Sequence, residues 1–157
     1  LIHVHGCKKA SHEKLIEEIT THCDDFARAH TQQSAQVLQT LKDKGYTLII
    51  VSNFYGNLKS VLAAYDLLHF FTDIVESAVV GVRKPDAAIW QLGVKVANSS
   101  AQNCIAIGDS FSKDIVPAHA SGIETIWFKG KEWEDKEYDE SLPSHIITSL
   151  TDILQIL

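Results

Sequence analysis

The 157-residue sequence contains no methionine and begins with Leu1. Because translation starts with methionine, we expect the chain to be a processed or truncated piece of a longer protein. Cysteine is also scarce, since only Cys7, Cys23 and Cys104 occur and no two of them form a C-x-x-C pair. This usage favours reduced thiols in a reducing compartment over a disulfide framework.

Basic residues are few, with 14 Lys and Arg against 20 Asp and Glu, so the formal net charge is −6. That balance gives no electrostatic footprint for a nucleic-acid backbone. No apolar run approaches the roughly 20 residues of a membrane helix, and no secretory signal opens the chain. The sequence is nevertheless 45% hydrophobic, which excludes wholesale disorder. We therefore expect a cytoplasmic protein the size of one domain that binds neither nucleic acid nor membrane.

Hydrophobic periodicity alternates between helical and strand patterns along most of the chain. Strands are predicted at 47–51, 73–76, 104–107, 124–128 and 145–147, and helices at 11–30, 34–44, 58–68, 87–97, 112–120 and 149–157. Ser11 is the expected N-cap of the first helix, and Pro117 is expected to interrupt the fifth. Alternating strands and helices predict an α/β fold, with helices on both faces of a parallel sheet.

Two carboxylates follow the strand predicted at 104–107, and ligands of open parallel sheets bind at the carboxyl ends of the strands. Asp109 ends that strand and Asp114 lies in the first turn of the next helix, so both can face one cavity. Paired carboxylates suit Mg²⁺, which keeps several of its waters when bound. The alternative is structural, with Asp109 starting a turn and Asp114 favouring a helix N-terminus.

Ser52 and Asn53 follow the strand predicted at 47–51, and Lys84 precedes Pro85. A serine hydroxyl and the backbone N–H groups of the next turn can bind phosphate oxygens. Proline favours an extended Lys84, whose ammonium group could neutralise a phosphate and a carboxylate together. The alternatives are a turn or capping serine and an exposed loop lysine.

These residues lie in three segments, VSN with Ser52, RKPD with Lys84, and IGDSFSKDI with Asp109 and Asp114. Together they resemble motifs II, III and IV of the haloacid dehalogenase (HAD) superfamily, and the likeness extends over about residues 38–128. The resemblance implies a Rossmann-like core with a helical cap and hydrolysis of phosphoesters or carbon–halide bonds.

The resemblance also implies roles for individual residues. Ser52 and Lys84 would be catalytic, and together with Asn53 they would bind the substrate: Ser52 would donate to the transferring phosphoryl group, and Lys84 would hold the nucleophile and phosphate charges. Asp109 would ligate Mg²⁺, and Asp114 would support the metal through water or through Lys84. The expected substrate is a small phosphorylated metabolite, and a homodimer is expected.

The first motif of the superfamily, a strand ending in DxDxT, has no counterpart in the sequence. The early acidic pair, Asp24 and Asp25, lies in a helical pattern and not at a strand end. We therefore expect residues 1–32 to be the tail of a cap and residues 33–157 a core that lacks its first strand. The complete protein would be a Mg²⁺-dependent phosphatase, whereas this chain alone would lack the nucleophile and be inactive.

Other functions compete with phosphatase activity. The same fold could be a catalytically degenerate binding or regulatory module, or a haloacid dehalogenase. Alternation places His3, His5 and Cys7 on one strand face, where they could form a zinc set or the first metal motif of an amidohydrolase. A receiver domain needs its acidic residues in another order, and no G-x-G-x-x-G follows a strand as a dinucleotide site requires.

Overall fold

The computed structural model describes residues 9–130 and 137–157, and side chains from residue 12 onward within those ranges. His3, His5 and Cys7 lie outside the described residues. The strands are β1 (Ile49–Ser52), β2 (Asp73–Glu76), β3 (Ile105–Gly108), β4 (Glu124–Phe128) and β5 (His145–Ile147). The helices are α1 (Lys9–Asp43), α2 (Leu58–Ala64), α3 (Ser77–Val80), α4 (Ala88–Val96), α5 (Val116–Ala120) and α6 (Ile153–Ile156).

The strands form two separate sheets in which every pairing is parallel. Strand β1 pairs with β2, and its last residue, Ser52, lies opposite Glu76. The second sheet has the order β3–β4–β5. All five strands that the hydrophobic pattern predicts are present, and the expectation of an α/β fold with parallel strands is confirmed.

A cleft of about 420 Å³ separates the two sheets. It is lined by Ile49 and Val51 of β1, by Ile105 and Ile107 of β3, and by Trp90 of α4. Within residues 9–130 and 137–157, no strand pairs with the edge of β1 or of β3 that borders this inter-sheet cleft. The backbone groups along both edges therefore lack a strand partner.

Apolar side chains cover both faces of the three-stranded sheet, as expected for strands between helices. On one face, Val37 and Leu41 of α1 pack with Ile126 of β4. Trp127, the next residue of β4, packs with Phe111 on the other face. A third cluster joins the two sheets, because it contains Val75 of β2 and Ala106 of β3 together with Ile89 of α4.

Helix α1 differs from the prediction, because one continuous helix of 35 residues replaces two helices. It begins at Lys9, so Ser11 lies inside the helix and is not its N-cap. The Thr31 and Ser34 hydroxyls donate to the carbonyls of Arg28 and His30 in the preceding turn. Both hydroxyls are thus satisfied inside the helix, and neither side chain caps a helix end where we expected a break.

The amino-terminal half of α1 has the predicted apolar periodicity, but the described residues do not cover that face. Leu15, Ile16, Ile19 and Phe26 are all more than half exposed. The carboxyl-terminal half is different, since Val37 is only 2% exposed. No described helix is both long enough and apolar enough to cross a membrane.

Several elements are shorter than the predicted ones. Helix α2 ends at Ala64, and a separate 3-10 turn follows at Leu68–Phe70. The predicted interruption near Pro117 is confirmed, because a π-helical turn at Phe111–Ile115 precedes α5 and Pro117 lies in the first turn of α5. Proline is accepted there because it need not donate a backbone hydrogen bond.

Candidate active site

Polar side chains converge at the carboxyl ends of β1 and β3. The Asn53 amide holds the backbone of Lys84 at both of its polar groups. Its Nδ2 donates to the Lys84 carbonyl over 2.9 Å, and its Oδ1 accepts from the Lys84 N–H over 2.8 Å. This pair of bonds fixes the segment before Pro85 against the end of β1. The Asn53 side chain is therefore engaged with backbone.

The Lys84 side chain extends from this point to the turn that follows β3. Its Nζ lies 2.6 Å from Asp114 Oδ1, and the side chains are 15% and 4% exposed. The ammonium group also lies 5.4 Å from the centre of the Trp90 ring, within cation–π range. Lys84 is thus not an exposed loop lysine, and that alternative is wrong. Since the pair is largely desolvated, removing either partner would leave the other charge buried and uncompensated.

Asp114 is held at both oxygens. Its second oxygen, Oδ2, accepts the Ser110 N–H over 3.0 Å. Asp114 lies in the π-helical turn that follows β3, and such turns occur frequently at functional sites. Gly108 permits the close approach, because a Cβ atom at Gly108 would lie 2.3 Å from the Asp114 Cβ. Residue 108 must therefore lack a side chain for Asp114 to reach this position.

Asp109 is exposed, and its carboxylate makes no hydrogen bond or ion pair with the described residues. Its carbonyl oxygen accepts from the Trp127 indole N–H over 3.1 Å, which fixes the backbone at the end of β3. An oxygen ligand without a protein partner suits a hard cation such as Mg²⁺. No cluster of three or more His, Cys, Asp or Glu arranged to hold a metal occurs within the described ranges.

Ser52 is the last residue of β1 and is half-buried. Its hydroxyl makes no hydrogen bond to a described residue, so it remains able to bind a ligand. The structure thus joins Asn53, Lys84 and Asp114 by direct bonds. Ser52 directly precedes Asn53 at the end of β1. Asp109 directly precedes Ser110, whose N–H group donates to Asp114, at the end of β3.

Sequence reasoning did not identify three residues that shape this site. Trp127 and Trp90 contact the backbone of Asp109 and the ammonium group of Lys84, respectively. Glu76 is a buried carboxylate at the end of β2, only 4% exposed. An acidic residue ending a predicted strand was a signal for Glu76, whereas nothing in the sequence singles out either tryptophan.

Comparisons with known proteins give relatives in both sequence and structure. Residues 5–122 match the family model described as haloacid dehalogenase-like hydrolase. A glyceraldehyde 3-phosphate phosphatase of Pyrococcus furiosus is 34% identical over 127 residues, which cover 78% of this chain and 52% of the relative. The pyrimidine 5′-nucleotidase PynA of Streptococcus pneumoniae is 28% identical over 123 residues, covering 77% and 51%.

The solved structure of a HAD-hydrolase, YfnB of Bacillus subtilis bound to magnesium, superposes with a TM-score of 0.69. It is 25% identical, and the match covers 80% of this chain and 55% of that one. The chain spans about half the length of the curated relatives it matches.

Proposed function

Because the chain belongs to the haloacid dehalogenase-like hydrolase family, we propose that it carries most of the active site of a Mg²⁺-dependent phosphatase. The substrate class that we propose is a small phosphorylated metabolite. The observation that carries the proposal is the buried Lys84–Asp114 pair at the carboxyl ends of the strands. Relatives named as a glyceraldehyde 3-phosphate phosphatase and a pyrimidine 5′-nucleotidase support the substrate class.

In this proposal, Ser52 and Lys84 contact the transferring phosphoryl group. The Ser52 hydroxyl donates to a phosphoryl oxygen, and the Lys84 ammonium group neutralises charge there while Asp114 fixes its position. The Asn53 side chain orients Lys84 by its hydrogen bonds to the Lys84 backbone. The backbone N–H group of Asn53 is a further donor for the substrate. Phosphoryl transfer depends mainly on such positioning and charge neutralisation.

Asp109 would ligate Mg²⁺, because its carboxylate is exposed and has no partner among the described residues. Asp114 would support the metal site indirectly, since both of its oxygens already accept hydrogen bonds. Bound Mg²⁺ would polarise a phosphoryl oxygen and offset the developing negative charge. Cytoplasmic location and a homodimer also remain predictions.

We propose that residues 1–32 are the tail of a cap and residues 33–157 a core that lacks one strand, and the inter-sheet cleft supports the missing strand. Two strand edges border the cleft, and the buried Trp90 indole N–H beside it has no acceptor among the described residues. Buried donors normally have a partner. We propose that an additional strand fills the cleft and brings the nucleophile, so this chain alone would not turn over phosphoesters.

A haloacid dehalogenase would use the same serine and lysine motifs, but it would not need a free carboxylate for a metal. The exposed Asp109 therefore favours a phosphatase. A degenerate binding module differs in another respect, since it predicts that the complete protein also lacks a nucleophile.

The test is Asp109→Asn in the complete protein, with Asp73→Asn at the exposed start of β2 as the matched control. We expect Asp109→Asn to lower Mg²⁺ affinity and phosphatase turnover by more than the roughly 10- to 100-fold lost with an outer-shell partner. Calorimetry with Mg²⁺ and steady-state kinetics measure the two quantities. Unchanged affinity and turnover in Asp109→Asn would show that the metal assignment is wrong.

A further inference from the structure

Glu76 is a buried carboxylate that the proposed reaction does not use. It ends β2, lies opposite Ser52 in the register of the two-stranded sheet, and is 4% exposed. In the described part of the chain, no lysine or arginine forms an ion pair with it. A buried charge without a cation is costly unless hydrogen bonds satisfy it. The position of Glu76 therefore depends on its hydrogen-bond donors.

The two donors of Glu76 lie in the loop that connects β1 to α2 and at the first residue of α2. Glu76 Oε1 accepts the Gly56 N–H over 2.5 Å and the Leu58 N–H over 3.4 Å. Asn57, the N-cap residue of α2, makes no capping bond with its own side chain. Glu76 thus supplies from the neighbouring strand the acceptor and the negative charge that a helix start favours.

The loop accepts this arrangement because Gly56 has a φ of +94°, a conformation that glycine adopts without strain. The same loop begins with Asn53, whose amide holds both backbone groups of Lys84. Lys84 in turn bonds Asp114. Glu76 is therefore connected with the buried Lys84–Asp114 pair by a series of hydrogen bonds and by the four loop residues 53–56.

We propose that Glu76 is a positioning residue, which fixes the loop after Ser52 and thereby the place of Asn53 and Lys84. The carboxylate touches neither substrate nor metal in this account. Its catalytic consequence rests on the proposed phosphatase function, whereas its effect on the conformation of Lys84 does not. The two claims can therefore fail separately.

The experiment compares Glu76→Asp and Glu76→Gln in the complete protein. Glu76→Asp keeps the charge but withdraws the oxygen by about 1.5 Å, one carbon–carbon bond. Glu76→Gln keeps the reach and an accepting oxygen but loses the charge. Asp73→Asn, at the other end of β2, is the matched control. Amide hydrogen exchange reports Gly56, Leu58 and Lys84, and kinetics report kcat and KM.

In Glu76→Asp, we expect the amides of Gly56, Leu58 and Lys84 to exchange about tenfold faster or more, because local opening governs their protection. We expect kcat to fall by about 100-fold, the effect of misplacing a reacting group by about 1 Å. Glu76→Gln should retain most of the wild-type kcat. Its neutral amide oxygen still accepts a hydrogen bond, which is roughly half as strong as the bond to the carboxylate.

Faster exchange at Gly56 and Leu58 with unchanged Lys84 exchange would overturn the proposal, because Glu76 would then only cap α2. Unchanged exchange at all three amides would also overturn it. If Glu76→Asp does not fold, Glu76→Gln provides the same test with a smaller expected change. Amide exchange must then become faster at both Gly56 and Lys84. A wild-type protein without phosphatase activity would end the proposed function, while Lys84 exchange would still decide the role of Glu76.

Discussion

The Lys84–Asp114 and Arg28–Asp24 ion pairs have almost the same length but lie in opposite surroundings. The first measures 2.6 Å, with side chains 15% and 4% exposed, and the second measures 2.7 Å, with side chains 52% and 44% exposed. Water screens the second pair, so it contributes little to stability. The first pair is desolvated, so loss of either partner is costly. Burial, and not length, separates the two pairs energetically.

The regions around the two ion pairs also differ in which side chains are exposed. Around Lys84 and Asp114, polar groups are buried, whereas Ile16 and Phe26 on the amino-terminal half of α1 are each 61% exposed. Each region departs from the ordinary rule that apolar side chains are inside and charges outside. Buried charge at strand ends is the pattern of a reactive site.

Loss of the buried pair should change turnover more than any other property. Lys84→Ala in the complete protein should lower kcat by about 10²- to 10³-fold, because a preorganised positive group is lost from the phosphoryl site. Lys59→Ala, an exposed lysine on α2, is the control and should leave kcat unchanged. Steady-state kinetics measure both, with circular dichroism as the check on folding. Turnover near that of the wild type would return Lys84 to a structural role.

The next effect is on stability at the same pair. Asp114→Asn should lower the free energy of unfolding by about 3 kcal/mol, because the Lys84 ammonium group is left buried without its counter-charge. Asp24→Asn removes the matching carboxylate of the exposed pair and is the comparison. Urea unfolding measures both variants. Equal losses would show that burial does not distinguish the two pairs.

A smaller loss is expected from crowding beside Asp114. Gly108→Ala would place a Cβ atom 2.3 Å from the Asp114 Cβ. Relief of that overlap should cost about 1 to 3 kcal/mol of unfolding free energy, as in other overpacked sites. Gly130→Ala is the control, since no described residue apart from its chain neighbours lies within 4 Å of the added Cβ. An unaltered urea midpoint for Gly108→Ala would contradict the close approach of the two segments.

The smallest effect concerns pH at the exposed pair. The hydrogen bond from Arg28 holds the pKa of Asp24 below its usual range. The stabilisation is therefore present above the ordinary carboxyl pKa and is lost as the pH falls through the lowered pKa. Because the pair is exposed, this contribution is small. We expect the Asp24→Asn and Asp25→Asn variants to unfold at the same acidic pH, as followed by circular dichroism. A clear difference between these variants would show that screening is weaker than we infer.

Strand positions and the residues directly after them could be predicted from the sequence, because buried strands are short apolar runs followed by polar residues. That pattern identified the ends at Ser52 and Asp109. The contact between Asn53 and Lys84 could not be predicted, since it joins residues 31 apart in the chain. The continuity of α1 was also missed, because threonine and serine, which occur at positions 31 and 34, are found at helix ends as well as within helices.

The missing strand and nucleophile can be tested by a side-by-side assay of this 157-residue chain and the complete protein on an aryl phosphate, with and without Mg²⁺. We expect Mg²⁺-dependent hydrolysis by the complete protein and none by the chain alone. Robust Mg²⁺-dependent hydrolysis by the chain alone would contradict this expectation, because the nucleophile would then lie among these residues.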